Sequence, residues 1–178
     1  MLSEIKKHIE NLIRNAASSE EVFDSFSQAI RHRIKDLDLY KMILASAHLS
    51  EDEIIMFTEK LCTEFEDLAF DIYMWTAHIL ESSARSGSAE NAFSYYKKAC
   101  EADKTRHEPF VSILRLYNPD ADLPPKENIL SWVRSRSREV MKKSALYREM
   151  GLFFNSLGNE DLKRKYLALS ARHARNGQ

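Results

Sequence analysis

Turn-forming residues are scarce in this chain: its 178 residues include only four glycines and four prolines. A fold of many short strands needs such residues at most of its reversals, so an all-β architecture is excluded. Long hydrophobic runs are missing as well. The most apolar stretch, Phe70 to Leu80, is interrupted by Asp71, Thr76 and His78 and reaches about half of the roughly 20 residues that a membrane-spanning helix requires. No membrane partner is expected. The opening Met1-Leu2-Ser3-Glu4 lacks the basic-then-apolar order of a secretory signal, which makes the cytoplasm the expected location.

Cysteine is equally thin. Cys62 and Cys100 stand alone, without the Cys-x-x-Cys spacing of a zinc site or redox dithiol. Each sits among apolar helix positions and is expected to be buried as a small hydrophobe. The chain also lacks a glycine-rich phosphate loop, a Gly-x-Ser-x-Gly elbow and a His-Glu-x-x-His helix, and its six histidines are scattered. These absences remove the commonest catalytic and metal-binding arrangements. The sequence therefore reads as non-enzymatic, with no catalytic residue, metal or cofactor expected.

What the chain does have is repeated helix starts. A small polar residue ahead of an apolar-periodic run satisfies the unpaired amides of a first turn. Ser3 precedes Ile5, Ile9 and Leu12; Asp36 or Asp38 precedes Tyr40, Ile43 and Leu44; Ser88 precedes Ala92 and Tyr96; Ser144 precedes Tyr147; Asn159 precedes Glu160 and Asp161. Ser18 with Glu21, Ser50 with Glu53 and Thr105 with Glu108 have the spacing of a capping box, in which each side chain bonds the other residue's amide. About ten helices joined by short turns follow, and each must bury its apolar stripe against a neighbour, which predicts five successive hairpins. The one long connection, Tyr117 to Pro125, carries Pro119, Pro124 and Pro125 and is expected to launch the next helix at Lys126.

Two segments carry a common pattern of small and aromatic residues, and their turn glycines, Gly87 and Gly158, are 71 residues apart, about twice the 34-residue length of one family of helical repeats. Gly87 is followed by Ala92, Tyr96 and Ala99, and Tyr147, Gly151 and Phe154 are followed by Gly158. The first segment resembles the second helix of a tetratricopeptide repeat; the second resembles the first helix and turn of another. The resemblance covers residues 66–176, with residues 1–65 as divergent helices of the same domain. It implies one all-helical domain over 1–178: a right-handed stack of antiparallel hairpins, or α-solenoid, whose first helices line a concave face that binds a peptide or protein segment. By the same analogy the lining residues are Met74, Ala77, Glu81, Arg85, Arg148 and Asn155. One subgroup of that family grips a terminal carboxylate through Lys, Asn and Arg, and only Arg148 fits its pattern here.

Charge suggests an alternative. The formal net charge is −1, yet residues 1–90 hold 9 basic and 17 acidic side chains while residues 91–178 hold 17 and 10. At 100° per residue, Arg134, Arg138 and Lys142 fall on one helical stripe, where a nucleic acid or other polyanion could dock. A third expectation is a homo-oligomer in which the oppositely charged ends associate head to tail. The leading expectation remains a scaffold or adaptor with a protein partner.

Overall fold

The first four amides of a helix have no partner inside it, so helices begin where side chains or turns can supply one. The computed structural model describes residues 2–83, 87–118, 120 and 124–176. Among them are α1 (Leu2–Asn15), α2 (Ser19–Arg31), α3 (Leu37–Leu44), α4 (Glu51–Glu64), α5 (Ala69–Ser82), α6 (Ser88–Ala102), α7 (Glu108–Leu116), α8 (Lys126–Arg136), α9 (Lys143–Ser156) and α10 (Glu160–Arg175), with 3-10 turns at Glu66–Leu68 and Ser137–Glu139. The described residues contain no β-strand. Among the described residues the all-helical class and the about ten helices expected from the sequence hold, and α8 does start at Lys126.

Four expected caps are in place. Ser18, Asp36, Ser50 and Asn159 each accept a bond from the backbone N–H three residues on. Ser50 and Glu53 form the full reciprocal box. Glu21 instead reaches back one residue further, accepting from Ala17 N–H at 2.8 Å. Other starts differ. The Thr105 hydroxyl is taken by Asp103 at 2.7 Å, so it caps nothing and α7 begins only at Glu108. Ser88 lies inside α6, which Gly87 opens with φ +85°; Ser144 lies inside α9 and Ser3 inside α1.

The chain divides into two compact units, residues 1–80 and 81–178, with the division inside α5. The sequence reading treats 1–178 as one domain whose character changes at residue 66.

In the first unit, Ile9 and Ile13 of α1, Val22, Phe26 and Ala29 of α2, Leu39, Tyr40 and Ile43 of α3, Ile54, Phe57 and Leu61 of α4 and Ile72 of α5 form one core. Buried polar groups inside it are paired, as burial demands. Thr58 and Thr76 share a hydrogen bond of 2.7 Å between α4 and α5. Tyr40 Oη donates to the Ile34 carbonyl at 2.6 Å, and Trp75 Nε1 donates to the Lys41 carbonyl at 3.1 Å. Lys6 of α1 pairs with Asp36, the cap of α3.

In the second unit, α7 is clamped to α9 by a fork: Arg115 Nε and one terminal nitrogen donate to the two oxygens of buried Glu149, both at 2.9 Å. The α9 and α10 helices form an antiparallel hairpin. Ser170, late in α10, donates to the carbonyl of Ser144, early in α9, while Phe154, late in α9, stacks on Tyr166 at 5.3 Å. Gly151 lets the two helices approach closely, since a Cβ there would lie 2.8 Å from Leu167 Cδ2.

Candidate functional site

Helix α2 carries two apolar arcs. Val22, Phe26 and Ala29 point into the core, whereas Phe23 stays 48 % exposed and Ile30 half-buried beside it. Helix α4 repeats the pattern: Ile54, Phe57 and Leu61 are buried and Met56 is 50 % exposed. Between the two arcs lies a groove whose floor is a pair of stacked rings, Phe26 and Phe57, parallel to within 2° at 4.2 Å. Phe23 leans over this floor, its ring 6.0 Å from Phe57.

The groove has two ends. Phe23, Phe26, Ser27, Ile30 and Arg31 of α2 with Met56, Phe57 and Lys60 of α4 enclose a cavity of about 390 Å³. Next to it, Ser19, Glu20, Phe23 and Asp24 with Glu53, Met56 and Phe57 enclose one of about 350 Å³. First halves of the two helices thus meet at one end and second halves at the other, so α2 and α4 run parallel. The N-terminal end is acidic and the C-terminal end basic. Among the described residues Glu20 and Asp24, both exposed, form no ion pair; the Ser50 hydroxyl and backbone amide hold the Glu53 carboxyl below its ordinary range. At the other end Lys60 reaches Glu64 at 2.7 Å, and Arg31 is exposed and has no ion-pair partner among the described residues. An apolar floor with oppositely charged ends can hold an apolar side chain and orient the segment that carries it.

The residues expected from the family analogy lie elsewhere. Ala77 is fully buried. Met74 is half-buried in the first unit. Glu81 is exposed in the second unit and accepts a hydrogen bond from Tyr96 Oη. Arg148 and Asn155 are exposed two turns apart on α9. Arg85 lies outside the described residues.

The basic stripe loses its geometric premise. Arg134 is in α8, but that helix ends at Arg136; Arg138 sits in the following 3-10 turn and Lys142 is the cap of α9. All three are exposed, yet a 100° helical row does not connect them. The chain breaks here because Val140 is extended and buried and Met141 N–H donates to the Thr105 carbonyl at 3.0 Å. Arg136 and Arg138 instead border a cavity of about 240 Å³ with Cys100, Lys104, Glu101 and Glu139, and Arg136 pairs with Glu101 at 3.3 Å. Both cysteines are buried. Burial pushes the Cys100 thiol well above its ordinary range, which keeps it protonated and poorly nucleophilic.

Among the described residues no helix is long and apolar enough to cross a membrane, and no three His, Cys, Asp or Glu side chains gather as a metal site. The sequence did contain a trace of the groove: Phe23 and Ile30 are seven residues apart, two helical turns, beside a stripe that already satisfies the core. Met56 gave no comparable signal. No family model matches the chain, and neither the curated proteins nor the solved structures contain a match to it.

Proposed function

We propose that this protein is a binding module rather than an enzyme, and that it holds an apolar segment of a partner protein in the groove between α2 and α4. The observation that carries the reading is the adjacent exposure of Phe23 and Met56, 48 % and 50 %, above an apolar floor. Large apolar side chains left together in water mark interaction sites, because covering them releases hydration free energy at no cost in core packing.

The tetratricopeptide-like reading is part of the same proposal and rests on separate support. Gly87 and Gly158 take the left-handed conformation at helix-joining turns, Ala92, Tyr96 and Ala99 are completely buried in α6, and Gly151 brings α9 against α10. On that reading α2 and α4 are second helices of their hairpins. The proposed docking surface is then not the face that the analogy assigns to Met74, Ala77, Glu81, Arg148 and Asn155.

The test is a photo-cross-linking residue in place of Ser27, exposed on the rim of the same groove, in the full chain within its native cell extract. A defined protein should be captured there, and Phe23→Ser combined with Met56→Ser should abolish capture. Both side chains are half in water, so the double variant should keep its helical signal and lose no more than about 1 kcal/mol of stability. Undiminished capture by this variant would remove the groove from the function.

A further inference from the structure

The groove specifies more than apolar contact. Because α2 and α4 run parallel, their dipoles point the same way, and the two positive helix ends meet at the acidic side chains Glu20, Asp24 and Glu53. The two negative ends meet at Arg31 and Lys60. A guest helix running antiparallel to both hosts would place its own negative end beside the hosts' positive ends. Its last-turn cations would then face Glu20 and Asp24, and its first-turn acids would face Arg31. Backbone dipoles and side-chain charges thus require one and the same direction.

A helical guest also fits the floor. Phe26, Phe57 and Met56 offer no hydrogen-bonding group to a backbone, so an extended segment would bury unpaired amides, whereas a helix satisfies its own. From Glu20 to Arg31 the wall spans about 16 Å at 1.5 Å per residue, three turns of helix. Phe23 and Ile30 repeat at two turns along this wall, the pitch at which residues i, i+3 or i+4, and i+7 of a guest helix present themselves.

We infer that the groove between α2 and α4 receives an amphipathic helix of a partner protein, lying antiparallel to both host helices, with an acidic first turn and a basic last turn. This deepens the interaction reading above and rests on it.

Two stapled probe helices of about 14 residues test it, each with leucines on one face: one has glutamates in the first turn and arginines in the last, the other has these turns exchanged. Stapling keeps both helical, so only charge direction differs. They are titrated into the full chain carrying methyl-labelled methionine. The Met56 methyl resonance should shift, and the first probe should bind about tenfold more tightly than the second at low salt, the gap closing as salt screens it. Asp24→Lys combined with Arg31→Glu should reverse the preference. A nitroxide on the C-terminus of the first probe should broaden the Glu53 amide and spare that of Lys60.

Equal binding of the two probes, or broadening at Lys60 in place of Glu53, overturns the inferred direction. Failure of both probes to move Met56, while a partner is still cross-linked from position 27, overturns the helical guest and leaves the binding module standing; failure of both experiments removes both. A Met56 shift that grows with protein concentration alone, with dimers in sedimentation, overturns the partner inference in favour of a second copy of this chain.

Discussion

The two compact units use the same helix-ending device with opposite residues. α2 ends with Arg33 N–H donating to Ile30 and Ile34 N–H to Ala29, and α9 ends with Gly158 N–H donating to Asn155 and Asn159 N–H to Phe154. Both close through one residue in the left-handed region, at φ +50° for Arg33 and +69° for Gly158. Only the second unit uses the residue that adopts it without strain. The first unit compensates with a core running through five helices and with side-chain caps on α2, α3 and α4. In the second, α6 to α9 lack a side-chain cap and α10 has no buried residue. The difference shows that turn geometry is common to both units while the residues that stabilise it are not: each unit can carry strain or exposure where the rest of its packing is sufficient.

The chain's two tryptophans, Trp75 and Trp132, lie one in each unit, so single-tryptophan versions report each unit separately in urea titrations. The largest effect should come from Leu61→Ala. Leu61 is fully buried in the first core, and the cavity should cost about 3 kcal/mol at the Trp75 probe. Leu169→Ala, at a half-buried position of α10, should cost about 1 kcal/mol at the Trp132 probe. Equal losses would break the contrast between a continuous core and an open end.

The fork in the second unit is next. Arg115→Met leaves Glu149 buried without its partner and should destabilise by about 1–2 kcal/mol, below the 3–5 of a fully buried pair because the Arg115 side chain is 64 % exposed. Replacing both partners, with Glu149→Leu added, should recover most of that loss. No recovery would mean that the fork contributes more than satisfaction of the buried carboxylate.

The turn comparison can be sharpened directly. Gly158→Ala should destabilise by about 1 kcal/mol, and Arg33→Gly should stabilise by up to a similar amount, since each exchanges the residue types at a left-handed position. Two changes of the same sign, read in thermal melts, would show that positive φ is not what distinguishes these turns.

The smallest effect is in pH. Burial pushes the Glu108 carboxyl up, but its bond to Arg106, its own backbone amide and the neighbouring His107 outweigh this and hold it at about 2. A carboxyl lower in the folded than in the unfolded state contributes stability above its unfolded value near 4.5, and loses it as pH falls toward 2. Melting temperatures at the Trp132 probe should therefore fall between pH 4.5 and 2, and Glu108→Gln should flatten that slope. An unchanged slope would assign the acid sensitivity to other carboxylates.

Much of the helical layout was legible because helix starts are local events. Ser18, Asp36, Ser50 and Asn159 declare themselves within four residues, by an oxygen that reaches an unpaired amide. The failures were local signals overruled by nearby competition. Thr105 looks like a cap until Asp103 takes its hydroxyl. Arg134, Arg138 and Lys142 form a stripe only if the helix continues, and the burial of Val140 ends it.

The candidate site was the least legible part. Phe23 and Phe26 are both phenylalanines on one helix, three residues apart, yet one is 48 % and the other 4 % exposed. Nothing in their spacing says which faces the core, because that depends on where α4 lies beside α2. The sequence by itself determined the helical class, the number of helices and several of their starts, all properties of hydrogen bonds and periodicity within a few residues. Only the tertiary structure decided that Ala77 would be buried, that Met56 would be left in water, and that α2 and α4 would run parallel with their like-charged ends together. These follow from which helices come to lie side by side, and burial is a property of neighbours rather than of the residue itself.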